Sequence, residues 1–184
     1  MPDRIVRLFV AIYPPEEARR FMLRALHKVA PPPDARHRVT PLEQLHMTLQ
    51  FIGDAPESEL ESITESVERS AAGVGPFSLV PIRLITLPER GMPRLIAMET
   101  DAPPQLLEMH RRLAQRLARS PRAKTGDRFL PHLTVCRFTA SARPQPLDHS
   151  VSLEPFPIAA LSLMQSILRS EGAIHSVVSS ISLA

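Results

Sequence analysis

Leu45-His46-Met47-Thr48-Leu49 and Pro131-His132-Leu133-Thr134-Val135 are two copies of one pattern, with their histidines 86 residues apart. Each copy lies in a stretch rich in Leu, Val, Thr and Phe, a composition that favours a β-strand. Successive side chains of a strand point to opposite faces, so each histidine shares a face with its threonine, roughly 6.6 Å along the strand. If the two strands meet, two imidazoles and two hydroxyls surround one small anion.

Further strands and three helices are predicted around these two copies. Proline pairs, Pro14-Pro15 and Pro103-Pro104, open two of the helices, because proline fits the first turn of a helix but not its interior. The loop 88–93 reads as a hairpin, and Gly53-Asp54 is expected to end the first histidine strand. The expected strands are 4–12, 45–52, 77–87, 94–100, 129–138, 158–168 and 174–183, and the expected helices are 16–30, 56–72 and 105–119.

The two halves of the chain resemble one another in order. Arg94-Leu95-Ile96-Ala97 is similar to Arg7-Leu8-Phe9-Val10, and each is followed by a proline pair, a helix and then a histidine strand. This order predicts an α+β fold of two β-α-β lobes related by a pseudo-two-fold axis. No linker divides the sequence, so we expect one bilobal domain over residues 1–184, with the histidine strands side by side at its centre.

Composition and charge limit the class of protein. The 184 residues carry a formal net charge of +3, and all but two of the 22 basic residues are arginine, whose planar fork matches phosphate oxygens. A GC-rich genome produces the same arginine excess through codon use. The single cysteine, Cys136, excludes an internal disulfide, and the apolar run from Leu8 to Ile12 is too short for a signal peptide or a membrane span. We therefore expect a cytoplasmic monomer with no membrane partner.

The residue types in the doubled pattern suit acid–base chemistry on a phosphodiester. Two imidazoles with ordinary pKa values of about 6.5 can divide labour near neutral pH, one as general base and the other as general acid. Threonine hydroxyls donate hydrogen bonds to phosphoryl oxygens without adding negative charge. No carboxylate adjoins either histidine in the sequence, so we expect a reaction that uses neither a metal nor a cofactor.

Other chemistries find little support. The sequence has no Gly-x-x-x-x-Gly-Lys loop for ATP, no dinucleotide glycine fingerprint and no His-x-His or His-Glu-x-x-His zinc spacing. Cys136 lies four residues from His132, roughly 13 Å along a strand, which is too far for a thiol–imidazole pair. The five other histidines are expected to be structural or solvated: His27, His37, His110, His149 and His175.

These motifs resemble those of the two-histidine (2H) phosphoesterases. His46-Met47-Thr48-Leu49 and His132-Leu133-Thr134-Val135 look like the doubled signature of that superfamily. The opening Arg7-Leu8-Phe9-Val10-Ala11-Ile12, the approach Pro41-Leu42-Glu43-Gln44-Leu45 and the stretch Arg128-Phe129-Leu130-Pro131 look like its bacterial and archaeal LigT-like branch. The resemblance implies a LigT-like fold in which mostly antiparallel sheets form a central cleft.

The resemblance also implies a substrate and residue roles. The substrate would be an RNA or oligonucleotide with a 2',3'-cyclic phosphate end, hydrolysed to a 2'-phosphomonoester, and the reverse step would be 2'-5' RNA ligation without ATP. By the family pattern, His132 is the base that activates water and His46 is the acid that protonates the departing ribose 3'-oxygen. Thr48 and Thr134 would hold the nonbridging oxygens. The pseudo-symmetry of the motifs leaves the choice of acid and base open from the residues alone.

Two further residues are candidates for substrate binding. Arg137 matches an arginine that serves the phosphate in relatives, but strict alternation places Arg137 on the face opposite His132, so the role requires a bulge or a strand end. Phe9 is a candidate to stack a nucleobase. Two departures from the family pattern concern substrate preference: Arg38-Val39-Thr40 stands where an aromatic residue is common, and His175 stands where a tyrosine is common.

Two alternatives stay open from the sequence. One is a noncatalytic RNA-binding module, in which the histidine cleft contacts phosphates and the basic stretches 36–38 and 119–128 supply affinity. The other is a 2H enzyme that acts on 2'-5' oligonucleotides or on another cyclic phosphate. Identification of a 2'- or a 3'-phosphate product separates the enzymes, whereas salt-sensitive RNA affinity without turnover identifies the binding module.

Overall fold

The computed structural model describes residues 3–29, 36–118, 129–142, 144–169 and 172–184. The basic loop predicted at 119–128 lies outside these ranges. The helices are α1 (Glu16–Val29), α2 (Leu60–Ala71) and α3 (Pro104–Leu117), and no described helix has the length and apolarity needed to cross a membrane. The strands are β1 (Ile5–Ile12), β2 (His37–Val39), β3 (Met47–Pro56), β4 (Phe77–Leu79), β5 (Pro81–Leu87), β6 (Leu95–Thr100), β7 (His132–Phe138), β8 (Asp148–Ser150), β9 (Phe156–Ile158), β10 (Ala160–Arg169) and β11 (Gly172–Ser182).

Two antiparallel sheets carry the two copies of the motif, which confirms the predicted α+β architecture. The first sheet has the strand order β11-β10-β1-β3, the second has the order β2-β7-β6-β5-β8, and β4 pairs with β9 apart from both. The histidine strands β3 and β7 therefore belong to different sheets. They contact each other across the junction of the sheets, without the shared hydrogen-bonded ladder that a side-by-side arrangement in one sheet would have.

One continuous core joins both sheets and the helices. Its buried side chains come from the first sheet (Leu8 and Leu49), the second sheet (Leu133) and the helices (Leu26 and Met109). Burial of each such side chain contributes about 1.5–3 kcal/mol relative to exposure. Because the same core packs against β3 and β7, it holds the two motifs in a fixed relation.

Among the boundaries that differ from the sequence prediction, two belong to strands of the sheets that carry the motifs. Gly53 does not end its strand: it lies inside β3 with φ 85, a conformation that glycine adopts without strain, and pairing with β1 continues to Pro56. The strand expected at 77–87 is two strands, because β4 pairs with β9 whereas β5 pairs with β6 and β8. Both strands are apolar, so the sequence of residues 77–87 does not show that the pairing strand changes between β4 and β5.

The two lobes are related by the same shift of 86 residues as the histidines. Ala11 pairs with Thr48 in the first sheet, and Ala97 pairs with Thr134 in the second. The correspondence inferred above from Arg94-Leu95-Ile96-Ala97 is therefore wrong by one residue. Two short apolar sequences can be aligned with each other in several ways, whereas the hydrogen-bonded register of the strands fixes a single alignment of the two halves.

Candidate active site

The two motif histidines have the same local geometry, with His46 directly before β3 and His132 as the first residue of β7. The Nδ1 atom of His46 lies 2.7 Å from the carbonyl oxygen of Gln44, and Nδ1 of His132 lies 2.8 Å from that of Leu130. A carbonyl oxygen only accepts, so Nδ1 carries the proton and donates it in both rings. With the Nδ1 proton held in this way, Nε2 is the atom of each ring that is left to take up a proton and return it.

A β-bulge follows the threonine of both motifs. The extra residue is Leu49 on β3 and Val135 on β7. A bulge sets two residues against one of the partner strand and so changes the face on which later side chains lie. Beyond the bulge on β7, Arg137 shares a face with Thr134, because their partners on β6 are two residues apart. The structure thus contains the bulge that a phosphate-binding role for Arg137 requires.

The carbonyl groups of both bulge residues have hydrogen-bond donors. His110 donates its Nδ1–H to the Leu49 oxygen at 2.8 Å, and the backbone N–H of Thr40 donates to the Val135 oxygen at 2.9 Å. A buried carbonyl without a partner would cost about 1–3 kcal/mol. The ring of His110 also stacks on Phe129, with 3.9 Å between centroids. His110 therefore supports the strand on which the first motif lies.

Aromatic rings enclose His46. Its ring centroid lies 5.2 Å from that of Phe9, 5.3 Å from that of Tyr13 and 5.2 Å from that of His175. Phe9 is only 4% exposed, so its ring has no free face to offer a nucleobase. Phe9 packs against His46, and this burial disfavours the stacking role predicted for it.

These surroundings lower the pKa of His46 to about 4. Burial is the largest cause, since it disfavours the charged ring, and the nearby His175 and Arg137 act in the same direction. The Gln44 carbonyl opposes them by accepting the Nδ1 proton. His46 is therefore neutral at pH 7 when no anion is bound. Because Arg137 belongs to β7, its electrostatic effect on His46 also indicates that the polar faces of β3 and β7 adjoin one site.

His175, on β11, is a site residue that the sequence analysis missed. Its ring centroid lies 4.9 Å from that of Phe9, and burial, followed by the charge of Arg137, lowers its pKa. Within the described ranges, its buried Nδ1 has no hydrogen-bond partner, which favours a proton on Nε2, the opposite tautomer to that of His46. The available signal was that the family commonly has tyrosine here, which is also a ring with a polar tip.

His132 lies in a row of charged residues. Glu99 is its register partner on β6, and Arg83 is the register partner of Glu99 on β5. Nε of Arg83 lies 2.5 Å from the Glu99 carboxylate, and the same guanidinium lies 2.6 Å from Asp148. A carboxylate thus neighbours His132 in the fold although none does in the sequence. Among the described residues, His, Cys, Asp and Glu side chains form no group of three that could hold a metal ion.

The remaining predicted residues lie where the motif places them. Thr48 and Thr134 are half-buried, and each follows its histidine by two residues on the polar side of its strand. Cys136 is buried, and burial raises the pKa of its thiol to about 11, so it is protonated at neutral pH. The arrangement thus supplies two imidazoles, two hydroxyls and one guanidinium, a set suited to moving protons at a phosphoryl centre.

Comparisons with known proteins agree with this arrangement. A family model described as the 2'-5' RNA ligase superfamily matches residues 14–166. The RNA 2',3'-cyclic phosphodiesterase of Thermus thermophilus is 30% identical over 97% of this chain and 90% of its own length. The crystal structure of TT0787 of Thermus thermophilus matches with a TM-score of 0.82 at 30% identity, covering 96% of this chain and 97% of that chain. Apo LigT of E. coli matches with a TM-score of 0.76 at 21% identity, covering 98% of each chain. The chain belongs to the 2'-5' RNA ligase superfamily of two-histidine phosphoesterases.

Proposed function

We propose that this protein hydrolyses RNA-terminal 2',3'-cyclic phosphates to 2'-phosphomonoesters by metal-independent acid–base catalysis with His46 and His132. Four curated relatives, 24–30% identical, are named RNA 2',3'-cyclic phosphodiesterase, and this chain is an enzyme of that class. One observation carries the proposed mechanism: both imidazoles donate Nδ1–H to a backbone carbonyl, which leaves both Nε2 atoms to exchange protons.

In the proposed reaction, a base and an acid act on opposite sides of the phosphorus atom. His132 takes a proton from the attacking water at Nε2, and protonated His46 gives its proton to the ribose 3'-oxygen. The bond from water oxygen to phosphorus forms as the bond to the 3'-oxygen breaks. The ester to the 2'-oxygen stays intact, so the product is a 2'-phosphomonoester.

The acid role requires His46 to hold a proton when the substrate is bound. In the free protein its pKa of about 4 keeps the ring neutral at pH 7. A bound phosphodiester brings a negative charge to the site, which favours the imidazolium and raises the pKa of His46. Protonation of His46 is therefore coupled to substrate binding in this proposal.

The other polar groups stabilise charge on the phosphoryl group. Thr48 and Thr134 donate hydrogen bonds to the nonbridging oxygens, and Arg137 adds a fixed positive charge. Ligation, which is the reverse of cleavage at a 2'-5' linkage, uses the same groups: His132 takes the proton of an attacking 5'-hydroxyl in place of water, and His46 protonates the departing 3'-oxygen. It would join RNA ends through a 2'-5' linkage, and the strained cyclic phosphate, rather than ATP, would supply the driving force.

Product analysis on a short RNA ending in a 2',3'-cyclic phosphate tests the proposal. We expect the wild-type protein to form the 2'-phosphate in the presence of EDTA, as identified by chromatography against 2'- and 3'-phosphate standards. His46→Ala and His132→Ala should each lose about 10²- to 10⁴-fold in rate. His27→Ala, an exposed change on α1, is the matched control and should keep full activity.

Three outcomes would contradict the proposal. A 3'-phosphate product would contradict the assigned bond cleavage, and full activity in either motif alanine variant would contradict the assigned chemistry. RNA binding that survives both alanine substitutions, with no turnover by the wild-type protein, would identify the noncatalytic binding module instead.

A further inference from the structure

Two arginine residues lie side by side at the edge of the second sheet. Arg38 on β2 is the register partner of Arg137 on β7, and paired residues of neighbouring strands share a face. Arg137 shares a face with Thr134, so Arg38 lies on that face as well. Val39, the next residue, packs against the core on the opposite face, as strand alternation requires. A second guanidinium group thus lies one strand beyond Arg137, on the face that carries the motif.

Hydrogen bonds fix both ends of β2 to β7. At one end, the backbone N–H and the hydroxyl of Thr40 donate to carbonyl groups of β7 at 2.9 and 2.8 Å. At the other end, the backbone N–H and the hydroxyl of Thr139 both donate to the carbonyl oxygen of Arg36, at 2.8 and 3.0 Å. The side chain of Arg38 is exposed, because β2 is the edge strand of its sheet. Arg38 therefore extends towards solvent from a backbone that is held in place beside Arg137.

The charges on these strands are separated along their length. Among the residues of β2, β6 and β7, the one carboxylate is Glu99, which is ion-paired with Arg83. Glu99 lies four residues, roughly 13 Å, along β6 from Leu95, the register partner of Arg137. Like charges at directly opposed positions repel each other, and a phosphate beside both guanidinium groups would relieve that repulsion. A polyanion is thus attracted towards the arginine end of this face and not towards the Glu99 end.

We propose that Arg38 binds the phosphodiester that joins the terminal nucleotide to the rest of the RNA, while Arg137 serves the cyclic phosphate. This inference rests on the proposed function and adds the path of the RNA, which leaves the histidine site across β7 towards β2. Arginine suits this ligand, because its planar fork can donate two hydrogen bonds to phosphate oxygens. Phosphate contacts carry no sequence information, so this subsite accepts any base in the penultimate nucleotide. It favours the end of an oligonucleotide over a mononucleotide.

Kinetics on substrates with one and two phosphates test this subsite. The substrates are adenosine 2',3'-cyclic phosphate, the dinucleotide ApA with a 2',3'-cyclic phosphate end, and the same dinucleotide with an uncharged methylphosphonate linkage. Arg38→Gln should lower the ratio of kcat/KM for the dinucleotide to that for the mononucleotide about 2- to 5-fold, the size expected for an exposed charge pair. Arg38→Lys should retain most of the ratio, because it keeps the charge. With the methylphosphonate, wild type and Arg38→Gln should give the same ratio.

Salt dependence counts the phosphate contacts by an independent measurement. The affinity for ApA ending in a 2'-phosphate, the reaction product, is titrated at several salt concentrations. One phosphate contact with a single strand contributes about 0.7 to the slope of log affinity against log salt, so Arg38→Gln should reduce the slope by that amount. Arg69→Gln removes an exposed charge on α2, and this matched control should keep both the slope and the ratio.

The outcomes separate this subsite from the proposed function. An unchanged substrate ratio in Arg38→Gln would overturn the subsite and leave the hydrolase intact. An equal loss on the methylphosphonate dinucleotide would also overturn it, because the contact would not be with a charge. If the wild-type protein turned over no cyclic phosphate, the proposed function would fail. The salt titration would then decide the subsite: a smaller slope for Arg38→Gln supports it, and an equal slope overturns it.

Discussion

His46 directly precedes β3, His132 begins β7, and both rings hold the same tautomer, yet their surroundings are different. Rings of Phe9, Tyr13 and His175 enclose His46, whereas His132 lies in a row of ionised side chains. The duplicated fold therefore supplies two imidazoles in matching geometry. Their unequal neighbours fit the different tasks that the proposed mechanism gives them, acid for His46 and base for His132.

The contrast extends to positions related by the 86-residue shift. Tyr13, against His46, corresponds to Glu99, which is the register partner of His132. Burial raises the pKa of Tyr13, so this phenol is neutral at neutral pH, while Glu99 is ion-paired with Arg83. One imidazole thus lies in apolar surroundings that keep its resting form uncharged, and the other lies beside fixed charges.

The largest expected effect distinguishes the acid from the base. With an ordinary substrate, His46→Ala and His132→Ala should each lower kcat by about 10²- to 10⁴-fold. With a substrate in which sulfur replaces the 3'-oxygen, His46→Ala should recover most of the loss, because a thiol with a pKa of about 8.5 leaves without an acid. His132→Ala should not recover. Single-turnover rates of both variants on the two substrates measure the recovery. If only His132→Ala recovered, His132 would be the acid and His46 the base.

The next effect concerns the cation that distinguishes the second lobe. Arg137→Gln should lower kcat/KM about 10- to 150-fold, because a charged hydrogen bond to the phosphate contributes about 1.5–3 kcal/mol. Arg137→Lys should recover part of the loss, since it keeps the charge but not the planar fork. Arg111→Gln, an exposed change on α3, is the control. Steady-state kinetics measure kcat/KM. If the value for Arg137→Gln equalled that for Arg111→Gln, Arg137 would not bind the phosphate.

A smaller effect appears in the titration of the His46 ring. Its pKa in the free protein is about 4, and NMR signals of the imidazole recorded across acidic and neutral pH should show this transition. His175→Phe keeps an aromatic ring but removes an imidazole whose charge lowers that pKa, so the pKa of His46 should rise. Arg137→Gln should raise it as well, because it removes a positive charge near His46. An unchanged pKa in both variants would show that these two side chains do not act on His46.

The smallest effect concerns the support of the two bulges. His110→Phe keeps a ring against Phe129 but removes the donor to the Leu49 carbonyl, and should lower the free energy of unfolding by about 1–3 kcal/mol. Thr40→Ala keeps the backbone N–H that serves Val135 and loses only its hydroxyl bond to the Thr134 carbonyl, a loss of about 0.5–1.5 kcal/mol. Urea unfolding compares the two variants. An equal or larger loss in Thr40→Ala would mean that the His110 bond contributes little.

Much of the site could be predicted from the sequence because its determinants are local. The pairing of each histidine with its threonine follows from strand alternation within three residues. Both motif copies lie in windows of strand-forming residues, and the proline pairs mark where two helices begin. The bulge near Arg137 was also predicted. Arg137 follows His132 by five residues, so a strand with strict alternation would place the two side chains on opposite faces, and only a bulge or a strand end brings them to one face.

The sequence by itself therefore determined which groups are candidates for the proposed chemistry and on which local elements they lie. Tertiary structure decided what surrounds them: His175 reaches His46 from β11, Glu99 lies opposite His132, and a bulge at Leu49 changes the face on which later side chains of β3 lie. These contacts join segments far apart in the chain, and their register depends on how the shared core packs both sheets at once. A short stretch of sequence shows the alternation of side chains along a strand, but it does not show which strands will pack beside it. Only the folded chain therefore shows why His46 and His132 have different surroundings.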